Sequence, residues 1–113
     1  MRWVLLFALL LCGCSKGPDA DLASIGEARS LGAEWALVND QAAKGRLTPT
    51  YTRTMRLKLR EQLESTKSSL TLPDSAYGRE IDALLQLPDD APPARLDAHA
   101  DNLKRIEDSL ESA

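Results

Sequence analysis

The stretch Lys44-Gly45-Arg46-Leu47-Thr48-Pro49 decides how this chain folds. Glycine just past the end of a helix readily takes the left-handed conformation that closes it, and a lysine in the last turn suits the negative end of the helix dipole. Thr48 followed by Pro49 is a helix start. The threonine side chain can accept a backbone N–H, and a proline at the first position gives up only an N–H that had no partner. A stop and a start this close together join two helices as an antiparallel hairpin.

The periodicity on both sides agrees. Upstream, Ile25, Ala28, Leu31, Trp35, Val38 and Ala42 recur at spacings of three and four, which is one helical face. They predict a helix from about Asp21 to Lys44. Downstream, Tyr51, Met55, Leu59, Leu63, Thr66 and Leu70 mark the face of a second helix reaching about Leu70. Each would be about 22 residues, or roughly 33 Å, and the matched lengths support the pairing. Gly32 falls at the edge of the first apolar face and is read as a place of close helix approach.

Further on, Thr71-Leu72-Pro73-Asp74 ends the second helix, and Asp74 or Ser75 can cap a short third one with Tyr77, Ile81, Leu84 and Leu85 inward. Pro88, Pro92 and Pro93 then exclude a continuous helix. A fourth follows to about Ser112, with Leu96, Ala100, Leu103, Ile106 and Leu110 as its stripe. No segment alternates as a half-buried strand does. The expected fold is all-α, a small antiparallel bundle of about four helices: a long hairpin with two shorter helices packed across it. A three-helix bundle with the third segment as a mere connector is the alternative.

The N-terminus reads differently. Met1 and Arg2 give a short positive region, Trp3 to Leu11 are apolar without interruption, and Ser15-Lys16-Gly17-Pro18-Asp19 turns polar at once. This is the layout of a secretory signal, and the apolar run is far shorter than the roughly 20 residues of a membrane span. It ends in Leu11-Cys12-Gly13-Cys14, which resembles the lipobox of bacterial lipoproteins: an aliphatic residue, two small residues, then the cysteine. The resemblance covers only residues 1 to about 15. It implies a diacylglycerol thioether on Cys14, cleavage between Gly13 and Cys14, and a further acyl chain such as palmitate on the new amino group. Residues 1–13 are then signal peptide, 14–20 a lipidated tether and 21–113 the helical domain. In the Gram-negative members an Asp after the cysteine favours the inner membrane. Ser15 stands there instead, which favours the outer membrane on its periplasmic side.

The whole chain carries 14 Lys and Arg against 17 Asp and Glu; without Arg2 the balance is 13 against 17, mildly acidic. That argues against nucleic-acid binding, which calls for a basic surface. With Cys12 removed and Cys14 acylated no thiol remains for a disulfide, so stability has to come from packing.

No catalytic set, metal cluster or phosphate loop is read from the sequence, and no cofactor is expected. His99 stands alone at the edge of the fourth apolar stripe and is read as partly buried and hydrogen-bonded. A more distinctive feature is on the second helix. Arg53, Arg56, Arg60 and Lys67 fall on one ridge, read as lying opposite the apolar face, with Leu57 beside it. The ridge is either a solvated face or a docking strip for an acidic protein or anionic head groups. Leu37 is likewise off the main stripe of the first helix. The functional expectation is a membrane-anchored, non-enzymatic adaptor with an envelope protein as partner and membrane lipid engaged through Cys14. The alternative is a carrier holding a small apolar ligand or lipid between helices.

Overall fold

The computed structural model describes residues 17–112. Leu11, Cys12, Gly13 and Cys14, with the rest of residues 1–16, lie outside the described residues. Four helices follow one another: α1 (Pro18–Ala43), α2 (Pro49–Ser68), α3 (Ala76–Leu85) and α4 (Pro93–Glu111). Local chemistry sets their ends. Prolines open α1, α2 and α4. Thr48 Oγ1 accepts the Tyr51 N–H at 3.1 Å, and Ser75 Oγ accepts the Gly78 N–H at 3.2 Å. At the end of α1, Gly45 has φ of +69°. Its N–H reaches the Ala42 carbonyl at 3.0 Å, and the Arg46 N–H reaches that of Gln41 at 3.0 Å. These are the paired bonds of a Schellman motif, so the turn read from Gly45 forms as its chemistry demands.

The helices run up, down, up, down around a ring, and each packs antiparallel to the next. Two differences from the expected arrangement stand out. First, α1 begins at Pro18, three residues upstream of Asp21, because Pro18 and the acidic first-turn residues Asp19 and Asp21 suit a helix N-terminus. Second, the most extensive packing is between α1 and α4, ahead of the α1–α2 hairpin, while α2 and α4 do not meet. Small residues explain this. A Cβ at Gly32 would stand 3.3 Å from Leu84 Cδ1 and 3.6 Å from the Ala100 Cβ, so the missing side chain lets α1 approach both α3 and α4.

Ile25, Trp35, Leu59, Leu63, Ile81, Leu84, Leu96 and Leu103 are fully buried and draw on all four helices. Each contributes on the order of 1.5–3 kcal/mol by leaving water. Tyr51 is a correction to the second apolar stripe: it is 51% exposed. Thr52 takes the inward position instead, in register with Leu59, Leu63, Thr66 and Leu70. Tyr51 precedes Thr52 by one residue and is therefore turned about 100° away.

Candidate functional site

Polar side chains inside the bundle collect at its two ends. At the first, Asp21 is buried on α1 and faces the connection between α2 and α3. Its carboxylate accepts the Thr71 N–H at 2.9 Å, the Leu72 N–H at 3.2 Å, the Thr71 hydroxyl at 3.0 Å and the Tyr77 hydroxyl at 2.6 Å. Burial works against the charge, but these four donors outweigh it and hold the Asp21 carboxyl below its ordinary pKa. Burial, with the bond to Asp21, pushes the Tyr77 phenol up. Thr71 also takes the Gly17 N–H at 3.1 Å, which fixes the start of α1 against the same loop.

At the other end Trp35 and Asn39 grip the connection between α3 and α4. The Trp35 indole N–H donates to the Asp89 carbonyl at 3.0 Å. The Asn39 amide donates to the carbonyls of Asp89 at 3.0 Å and Ala91 at 2.8 Å. Its oxygen accepts Arg56 Nε at 2.8 Å. Arg60 lies over the Trp35 ring with its guanidinium carbon 5.0 Å from the centroid. It also donates to the Leu85 and Leu87 carbonyls at 2.7 and 2.9 Å and pairs with Asp89 at 2.9 Å. A cation placed on the open carbonyls at the end of α3 satisfies them and opposes the negative end of that helix.

The basic ridge of α2 is therefore divided. It flanks the apolar stripe and does not oppose it: at 100° per residue Arg56, Lys67 and Arg60 sit about 60–100° from Leu59. Arg60 is used by the fold, and Lys67 pairs with Asp82 of α3 at 2.7 Å. Arg56 commits one nitrogen to Asn39 and is half-buried. Arg53 is exposed and has no hydrogen-bond or ion-pair partner among the described residues. Leu57 is 59% exposed and Leu37 58%, so both remain open apolar positions on the outward faces of their helices.

Arg53 and Arg56 face an open cleft of about 380 Å³, which Ala42, Leu47, Pro49, Thr52 and Asp89 complete. It lies at the Trp35–Asn39 end, between the α1–α2 turn and the α3–α4 loop. His99 lies elsewhere: its Nδ1 is 2.7 Å from Glu80, which also accepts from Asn102 at 2.8 Å, and the three tie α3 to α4. No group of three or more His, Cys, Asp or Glu that could hold a metal ion occurs among the described residues. None of their helices is long and apolar enough to cross a membrane.

Asp21 and Asn39 are not singled out by the sequence reading, although a signal was there. Both continue the spacing of Ile25, Ala28 and Trp35, so each is a polar residue in register with an apolar stripe. Comparison with protein families, curated proteins and solved structures finds no match to this chain. What its parts define is a small all-α bundle with a two-arginine cleft at one end.

Proposed function

We propose that this chain is a non-enzymatic helical adaptor, held at the bacterial cell envelope by lipid on Cys14 and presenting its far end to a protein partner. The observation that carries the reading is Leu11-Cys12-Gly13-Cys14 directly after an apolar run and before a polar break. Two acyl chains suffice for stable anchoring. Ser15 and Lys16 separate Cys14 from Gly17, three Cα-to-Cα steps with a reach of at most about 11 Å, so an anchored bundle stands close to its membrane on the Asp21 end. Along α1, about 27 Å from Asp21, the Trp35–Asn39 end then faces outward.

The surroundings of Trp35 favour an adaptor over a carrier. The ring is fully buried, lies under Arg60 and has its N–H bonded, so the position where a ligand cavity would open is filled by the protein itself. The buried polar residues Asp21, Asn39 and Tyr77 each hold a connecting loop or its neighbour, which suits a scaffold.

The test is fractionation. Cys14→Ser should release the protein from membranes, while Cys12→Ser should leave anchoring unchanged. A Cys14→Ser protein that still co-sediments with membrane lipid would sink the lipoprotein reading. Site-specific crosslinking from α2 in the intact envelope, with identification of the captured protein, then tests the adaptor role.

A further inference from the structure

We propose that the cleft between the α1–α2 turn and the α3–α4 loop binds an acidic peptide segment of a protein partner, with Arg53 and Arg56 taking its carboxylates and Leu47 and Pro49 an adjacent apolar side chain. The proposal deepens the adaptor reading, but it depends on the fold alone and does not need the lipid.

Charge and preorganisation carry the argument. Arg56 Nε is held at 2.8 Å by Asn39, which is itself pinned by the Asp89 and Ala91 carbonyls. The two terminal nitrogens of Arg56 have no partner among the described residues. An arginine fixed in this way presents a planar fork that matches a carboxylate in two-bond geometry and loses little freedom on binding. Arg53 lies one turn earlier on the same helix, where residues three apart have Cβ atoms about 5–6 Å apart. That spacing suits two neighbouring carboxylates or a clamp on one. Asp89 also lines the cleft and would repel an anion, but Arg60 already pairs with it at 2.9 Å. The first turn of α2, through Pro49 and Thr52, borders the same cleft and adds the positive end of a helix dipole.

Shape separates a peptide from a bilayer. Basic surfaces that read anionic lipid collect about four to eight Lys or Arg on an open face. Here two guanidiniums border a concave space of about 380 Å³ with Ala42, Leu47 and Pro49 on its walls, which suits side chains entering it.

The experiment uses the full chain purified in detergent and a fluorescein-labelled peptide of the repeating sequence Glu-Glu-Leu, read by anisotropy. The Glu peptide should bind, its Gln counterpart should not, and binding should weaken as salt rises because exposed charges are screened over about 8–10 Å. Arg53→Gln should weaken binding about tenfold, the equivalent of 1.4 kcal/mol. Arg56→Gln should do at least as much, and Arg56→Lys should recover only part of the loss because the fork is gone. Arg56 also supports Asn39, so its variants are read only beside an unchanged melting curve. Arg53 has no such role, so its result stands by itself. Equal binding of the Glu and Gln peptides, no binding of either, or an unaltered Arg53→Gln would each overturn the proposal. Phosphatidylglycerol vesicles bound through the same arginines in place of the peptide would overturn it in favour of a lipid surface. Failure of Cys14→Ser to release the protein would count against the anchor and leave this binding result untouched.

Discussion

Asp21 and Asn39 sit on the same stripe of α1, one near each end, and each holds a loop that flanks α3. Asp21 takes donors from residues 71, 72 and 77; Asn39 gives donors to residues 89 and 91 and accepts from Arg56. The first knot is closed, with an anion surrounded by donors that are all supplied by the fold. The second is open, because the arginine that completes it keeps unused donors facing a cleft. One helix thus has a polar knot fully satisfied by the fold at one end and, at the other, one that leaves donors over for the binding proposed above. A loop grasped by a saturated carboxylate leaves no donor over, whereas Asn39 grasps its loop directly and is backed by an arginine that binds it through one nitrogen only.

Trp35→Ala has the largest expected effect, a loss of about 3–5 kcal/mol, the range for truncating a large buried aromatic. Domains of this size have only about 5–15 kcal/mol in all, so the variant's denaturant midpoint at neutral pH should fall far below that of the parent. A midpoint near that of the parent would mean that Trp35 belongs to binding and not to the core.

Next comes Asp21→Ala, which strands two backbone N–H groups and the Tyr77 hydroxyl. Unsatisfied buried groups cost about 1–3 kcal/mol each, so a loss of roughly 3 kcal/mol is expected. Asn39→Ala should cost less, about 1–2 kcal/mol, because water from the adjoining cleft can reach the released carbonyls. Measured side by side, a larger loss for Asn39→Ala would reverse the assignment of closed and open ends.

Acid sharpens the same contrast. The Asp21 carboxyl is held below its ordinary pKa in the folded protein. Such a group adds stability above the unfolded value of about 3.9, and that stability is lost as pH falls from there through the folded value. The parent should therefore weaken below about pH 4, and Asp21→Asn, already less stable at pH 7, should lose less on further acidification. Denaturant midpoints at pH 7 and pH 3 check this; parallel losses in both proteins would show that other carboxylates govern acid unfolding.

The smallest effects belong to the outward positions. Leu37→Ser and Leu57→Ser should each change stability by no more than about 0.5 kcal/mol, as expected for exposed sites. A larger loss at Leu57 would mean that this residue packs against the cleft end and is part of its support.

Local rules made much of this fold legible. The Gly45 stop, the Thr48–Pro49 start, the Ser75 cap and the three-and-four spacing of the stripes act within a few residues of themselves, so the sequence by itself determined four helices, their turns and most of the core. The resemblance of residues 1 to about 15 to a lipobox is what the proposed anchoring rests on. Tertiary structure alone decided that α4 would be the main companion of α1, because close approach at Gly32 depends on Ala100 and Leu84, which are distant in sequence. It alone turned Arg60 and Lys67 toward α3 and left Arg53 and Arg56 at a cleft. An arginine on the flank of a stripe reads the same on a helical wheel whether water or a carbonyl awaits it. Which one it meets depends on what the rest of the chain places beside it, here the ends of α3 and the loop after it.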